Sequence, residues 1–261
     1  MSILTPTRGP QAVYRINPVA KLAAAMVVSV ALVLSIDWVS AGVALAVEAV
    51  LFIWAGLSLK SFALRTLPVW IAAPLGAITI LLYGRASGET HFQFLLIHVT
   101  DGSIELAFAT FLRVLAIGLP AVVLFVTVDP TDLADGLAQV LKLPSRFVLG
   151  ALAGLRLVGL FLQDWRSLEL ARRARGVADR GRIRRFGGQA FALLVLSIRR
   201  GSKLATAMEA RGFGASNERS WARESRFGLR EVVLVLIGLA VAATAVTVSV
   251  ATGHWNFIAG Q

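Results

Sequence analysis

Long apolar runs separated by short polar breaks organise this chain, and the lengths of the runs set the first expectations. Pro18 to Ile36 is the first run. It opens on Asn17-Pro18 as a helix start, carries Lys21 in its opening turn and stops at Asp37 and Trp38. Ser40 to Leu57 runs back, interrupted by Glu48, and is followed by Lys60 and Arg65. Leu67 to Tyr83 carries Pro68 and Pro74, which a spanning helix tolerates when neighbours re-satisfy the backbone. A mixed-charge loop is expected from Gly84 to Ser103. Ile104 to Val128, containing Arg113, and Glu231 to Thr252 complete the set. Each run is long enough to cross a bilayer as a helix.

A different pattern fills the space between the last two runs. Asp129-Pro130-Thr131 reads as a stop and a fresh N-terminus, with Asp129 as cap and Pro130 at the first helical position. Thr131 to Leu141 is amphipathic, with Leu133, Leu137, Val140 and Leu141 on one face, and is expected to lie along the membrane surface. Two long arms follow. The first, Pro144 to Arg175, is about 30 residues and would be roughly 45 Å long as one helix. It is apolar from Phe147 to Leu162 except at Arg156, and charged from Gln163 onward. Gly150 and Gly154 form a Gly-x-x-x-Gly pair that permits close approach of another helix. The second arm is apolar from Phe186 to Ile198 and polar on one face from Arg199 to Arg211, and the two arms are expected to cross.

Both arms end in the same tripeptide, Ala174-Arg175-Gly176 and Ala210-Arg211-Gly212, with a hinge from Val177 to Arg185 between them. Glycine past the last helical residue supplies a left-handed closing conformation, and a cation there opposes the negative end of the helix dipole. The tripeptide is therefore a good helix stop. For one copy alone the helix stop is reading enough; two copies, each on an arm long enough to project from a membrane in a chain with no other chemistry, shift the reading towards a pair of docking points.

Composition turns these runs into a protein class. Hydrophobic residues make up 57% of the chain and the mean hydropathy is +0.74, too apolar for an ordinary soluble domain. The expected fold is an all-α integral membrane protein, with about five transmembrane helices plus a cytoplasmic domain of one short amphipathic helix and two long crossing helices. The division places a membrane domain of four spans at 1–128, the cytoplasmic domain at 129–228 and the last transmembrane helix at 229–261. Asp129 to Arg226 holds 18 Lys and Arg against 9 Asp and Glu, most of the formal charge of +11. The positive-inside rule then puts the N-terminus and this basic domain in the cytoplasm of a multi-pass plasma-membrane protein. Met1 to Asn17 has no apolar core, so the first apolar run is expected to remain in the mature protein.

Catalytic chemistry is absent from this reading. The chain has no Cys and three His; His91 and His98 stand seven apart in a loop, outside any metal-binding pattern. Arg200-Gly201-Ser202-Lys203 lacks the glycine frame of a phosphate loop. No enzyme, metal or cofactor is expected. The basic block lacks the interleaved aromatics of a nucleic-acid site and suits membrane lipid headgroups instead. Glu48 and Arg113 are ionisable at membrane depth, as an interhelix pair, as Arg113 reaching Glu105, or as a polar pathway. A stand-alone permease or small-molecule channel with a basic lipid-facing domain is the alternative class, and it would need more polar lining than these two residues.

Several of these segments together resemble the transmembrane T component of energy-coupling factor (ECF) importers, the EcfT/CbiQ-type family. The resemblance is carried by the two Ala-Arg-Gly signatures, the latter within Met208-Glu-Ala-Arg-Gly-Phe-Gly214, and by Arg15-Ile-Asn-Pro-Val-Ala-Lys21, Asp129-Pro-Thr-Asp-Leu133 and Leu143-Pro-Ser-Arg-Phe147. It implies a non-catalytic subunit that couples two ABC ATPase subunits, a homo- or heterodimer, to one membrane-embedded substrate-binding S component for a vitamin or metal micronutrient. It also implies that Ala174, Arg175, Gly176, Ala210, Arg211 and Gly212 dock the ATPases. The basic hinge Arg180 to Arg185 has no place in the family pattern, and the transported substrate is not encoded in these motifs.

Overall fold

A computed structural model of the chain describes residues 16–54, 59–84, 87–94, 97–176, 181–214, 220–253 and 255. Eight helices and one hairpin follow in the order α1 (Pro18–Leu34), α2 (Trp38–Trp54), α3 (Leu59–Tyr83), β1 (Thr90–Phe94), β2 (Ile97–Thr100), α4 (Asp101–Val126), α5 (Pro130–Gln139), α6 (Ser145–Ala174), α7 (Arg182–Ala210) and α8 (Leu229–Ala251). They fall into two compact units. One is built from α1 to α4, the hairpin and α8; the other comprises α5 to α7 and the polar segment that ends at Ser225.

The first unit packs through small residues. Ala20, Ala24, Val28 and Leu32 recur every four residues along α1 and are buried, a spacing that lays them on one helix face. Facing them on α8 are Gly238, Val241, Ala242 and Ala245. A Cβ at Gly238 would stand 3.0 Å from both the Cα and the carbonyl oxygen of Ala24. Only glycine allows that approach, as small residues do at membrane helix crossings generally. Val28, Leu32, Ala44, Ala116, Val241 and Ala245 form the central cluster, bringing α1, α2, α4 and α8 together. A second cluster, Ala73, Leu115 and Leu119, joins α3 to α4, with Phe52 and Phe62 packed against it at 5.4 Å between ring centroids.

Large apolar side chains such as Met26, Val50, Ile53, Leu64, Leu75 and Leu236 remain exposed. In lipid this arrangement carries no hydrophobic penalty. Four described helices are long and apolar enough to cross a membrane: α3 from Phe62, α4, α6 and α8. The 17-residue helices α1 and α2 fall below that length. The count read from apolar runs treated α1 and α2 as spans and α6 as an arm, so the two counts differ in their members. This is an all-α multi-pass membrane protein.

The boundary between α3 and α4 is more ordered than the loop read from sequence. β1 and β2 pair antiparallel, with Phe92 opposite Val99 and Phe94 opposite Ile97. The His91 Nε2 lies 2.6 Å from Asp101 Oδ1, and the Glu89 N–H donates to Asp101 Oδ2 at 3.2 Å. Thr100 caps α4 by accepting the Ser103 N–H at 3.3 Å while its own N–H donates to Ser103 Oγ at 2.9 Å. This reciprocal cap starts α4 three residues before Ile104, the first strongly apolar position.

The second unit is held by polar and aromatic contacts as well as packing. Gln139, the last residue of α5, clasps the returning polar segment: its Nε2 donates to the Arg223 carbonyl at 2.8 Å and its Oε1 accepts the Ser225 N–H at 2.8 Å. Arg223 adds an ion pair to Asp132 at 2.9 Å.

Candidate coupling surfaces

Helices α6 and α7 pack against each other, and the contacts name the residues. Trp165 meets Phe186 at 5.5 Å between ring centroids. Arg200 grips Asp164 with both terminal guanidinium nitrogens, Nη1 and Nη2, a fork that fixes direction as well as charge. Glu169 accepts from both Arg185 and Arg173. Arg172 reaches the Arg185 carbonyl at 3.3 Å and lies over Gly188, where a Cβ would come within 3.1 Å of its Nη2. Gly150 and Gly154, the pair expected to admit a helix, lie apart from this crossing. Both are exposed, and a Cβ at either would meet nothing within 4 Å among the described residues.

Beyond the crossing, the two helices end alike. Arg175 closes α6 at φ −90°, ψ 4°, and Gly176 follows at φ +67°. Arg211 closes α7 at φ −91°, ψ 12°, and Gly212 follows at φ +72°. At the α7 end the Gly212 N–H donates to the Glu209 carbonyl at 2.9 Å and the Phe213 N–H to the Met208 carbonyl at 3.0 Å. Those are the paired bonds of a Schellman motif. At the α6 end the Gly176 N–H makes the equivalent bond to the Arg173 carbonyl at 3.0 Å. The glycines let the chain turn back, so each arginine projects from the terminus of its helix.

Ala174, Arg175, Gly176, Ala210, Arg211 and Gly212 are all exposed. Neither signature guanidinium makes a hydrogen bond or ion pair among the described residues, whereas Arg172, Arg173, Arg185 and Arg200 are engaged in the crossing. A helix-end cation close to carbonyl ends accounts for some of this placement. It does not account for two arginines with full donor capacity at two tips of matching backbone shape. Arg166, Arg199 and Lys203 are exposed without a described partner too, but they lie on helix flanks. Arg180, in the hinge, lies outside the described residues, as do the side chains of Arg182 and Arg184.

Two polar clusters in the membrane unit were not legible in the sequence. At one end of α1, Asn17 caps the helix by accepting the Val19 N–H at 3.0 Å, and the buried Lys21 Nζ donates to the Thr127 carbonyl and hydroxyl. The sequence showed these residues as a helix start, an opening-turn cation and part of the Arg15 to Lys21 segment, with no sign of their partners. At the other end, buried Asp37 accepts from the Ser40 N–H at 2.6 Å, the Ser40 hydroxyl at 2.8 Å and the Ser249 hydroxyl at 2.7 Å. Burial pushes the Asp37 carboxyl up, and the bonds from Ser40, Ser249 and Ser35 outweigh it and hold it below the ordinary range.

Arg113 is drawn into this second cluster. Its guanidinium donates to the Ser35 carbonyl and lies close enough to Asp37 for their charges to interact. Of the partners considered from sequence, neither Glu48 nor Glu105 bonds to it among the described residues. The reason is tertiary: the short α1–α2 turn is brought against the middle of α4. Glu48 is 4% exposed, and neither carboxylate oxygen has a hydrogen-bond partner among the described residues. No group of three or more metal-ligating side chains occurs among the described residues.

Membrane helices packed through small residues, with two long helices paired at Trp165–Phe186 and Asp164–Arg200, make up a multi-pass membrane protein. Comparison with known sequences agrees: the family model described as "CbiQ: Cobalt transport protein" matches residues 10–221, and the chain belongs to that family. The energy-coupling factor transporter transmembrane protein EcfT of Bacillus selenitireducens is 26% identical over 249 residues, spanning 90% of this chain and 92% of that protein. The protein of the same name from Limosilactobacillus fermentum is 27% identical over 187 residues, 65% of this chain and 69% of its own length. This chain is thus a transmembrane component of an ECF-type transporter.

Proposed function

We propose that this chain is the coupling subunit of an ECF-type ABC importer for a vitamin or metal micronutrient, and that it transmits ATPase motion to a membrane-embedded S component. Two ABC ATPase subunits dock on the tips of α6 and α7, at Ala174, Arg175 and Gly176 and at Ala210, Arg211 and Gly212. The observation that carries this reading is the pair of exposed arginines on equivalent helix caps, each with its guanidinium donors unspent. A guanidinium presents donors in a fixed fork, which suits carboxylates or helix-end carbonyls in a groove of a partner. The coupling domain at 129–228 lies in the cytoplasm, where its basic surplus satisfies the positive-inside bias. Gly150 and Gly154 then offer an open helix face to a partner helix. ATP binding and hydrolysis belong to the partners.

Tagged chain purified from its native membrane in mild detergent tests this directly. Two stoichiometric ABC ATPase polypeptides and one small apolar membrane protein should copurify, and the chain stripped of them should bind no ATP analogue. Purification of the chain alone from a membrane that expresses both partners, or saturable micromolar ATP binding by the stripped chain, would overturn the reading.

A further inference from the structure

We infer that the first turn of α1 is a positioning clamp for the coupling step, holding both segments through which the chain passes between its two units. The inference rests on the coupling function proposed above. The chain leaves the membrane unit after Asp129 and re-enters it at Arg226. Just before the exit, Thr127 accepts from Lys21 Nζ twice, through its carbonyl at 3.1 Å and its hydroxyl at 2.9 Å. At the re-entry, the Arg226 carbonyl accepts from Asn17 Nδ2 at 3.0 Å. The Asn17 N–H donates to Glu231 Oε1 at 3.1 Å, and the other oxygen of Glu231 takes the Gly228 N–H at 2.9 Å. One helical turn, from Asn17 to Lys21, therefore ties down the exit and the entry together.

Burial shows why a polar set stands here. Lys21 is 1% exposed, with Asn17 and Glu231 at 8% each. A buried ammonium is costly unless paired, and an apolar side chain of the same length would fill the space without that cost. What an apolar filler lacks is direction. Lys21 reaches both acceptors of Thr127 with that residue held in one place, and Asn17 reaches the Arg226 carbonyl in the same way. Force arising on residues 130–225 reaches α4 and α8 covalently through these two segments. With both bound to α1, α4 and α8 are displaced as one body with it. Without the clamp each connection gives way separately.

The full-length chain has no native cysteine, so spin labels on Met26→Cys and Lys203→Cys, both at exposed positions, report one distance between the units by pulsed electron resonance in lipid nanodiscs. Lys21→Met removes the ammonium and keeps the stem; Thr127→Val removes one acceptor and keeps the shape; Thr127→Ser keeps both. The distance distribution should be unchanged in Thr127→Ser and at least twofold broader in Lys21→Met and Thr127→Val. In the complex with its ATPases, Lys21→Met should retain ATPase copurification and ATP hydrolysis while substrate uptake per ATP falls at least tenfold. An unbroadened distribution in both Lys21→Met and Thr127→Val, or normal uptake per ATP, overturns the clamp. Should the wild-type chain bring no ATPase, the coupling function fails, and the distance distributions still decide whether the clamp exists.

Discussion

Arg175 and Arg211 occupy the same position on two different helices: each is the residue after the last helical one, and each is followed by a glycine at positive φ, +67° and +72°. The equivalence extends to the carbonyl each glycine N–H engages, three residues back. It gives the two tips the same backbone shape, as the proposed docking of two ATPase subunits would need.

Arg175→Ala or Arg211→Ala should weaken ATPase association by roughly 2–5 kcal/mol, on the order of 30- to 4,000-fold, because truncation strands a desolvated partner. If the arginines serve only the helix dipole, the loss is about 0.3–1 kcal/mol. Arg166→Ala and Arg199→Ala, exposed cations on the flanks of the same helices, are matched controls. Quantified copurification reads the difference, and equal losses in tip and flank variants would show a bulk charge effect.

Gly212→Ala keeps Arg211 and its charge but places a Cβ in the left-handed region, at a cost of about 1–2 kcal/mol. Among the described residues nothing lies within 4 Å of that Cβ, so the strain expected is conformational. The expected outcome is a frayed α7 terminus, seen as faster amide exchange at Met208 to Phe213, together with weakened ATPase copurification. Normal exchange and normal association would show that the cap is not needed to aim Arg211.

Ser87→Cys, at an exposed site on the α3–α4 connection, should react with a membrane-impermeant maleimide in intact cells, while Lys203→Cys on α7 should react only after permeabilisation. The reverse pattern would refute the orientation set by the basic surplus.

Gly238→Ala should destabilise the membrane unit by roughly 1–3 kcal/mol through overpacking, because its Cβ would lie 3.0 Å from the backbone of α1. Thermal unfolding in detergent measures this as a lowered midpoint. Gly150→Ala, on open surface, should leave the midpoint unchanged.

Asp37 should make stability pH-dependent in the acid range. Its carboxyl is held below its ordinary value in the folded chain. The stability it contributes is therefore fully present above the unfolded pKa of about 3.9 and lost as pH falls through the lower folded value. Unfolding midpoints should drop across that window in the wild type and drop less in Asp37→Asn. Parallel curves would remove Asp37 as the cause.

Much of this architecture is local and hence legible in the chain. Helix positions follow from apolar runs and caps, so Asn17-Pro18, Asp129-Pro130 and the two Ala-Arg-Gly ends marked boundaries that the helices respect. The small hairpin did not show as such, because its alternating runs, His91-Phe92-Gln93-Phe94 and Ile97-His98-Val99-Thr100, are only four residues each and sit in a mixed-charge loop. Nor did the early start of α4, which a reciprocal Thr100–Ser103 cap decides rather than hydrophobicity.

By itself, then, the sequence determined a membrane protein, the order of its helices and the two signature tips, since each depends on composition and on neighbours a few residues apart. The tertiary structure alone decided the partners of Lys21, Asn17 and Arg113. The bonds from Lys21 to Thr127 and from Asn17 to Glu231 join positions 106 and 214 residues apart. A lysine in an opening turn reads the same whether it faces water or a buried carbonyl. Only the packing of α1 against α4 and α8 removes the water and makes that carbonyl its partner.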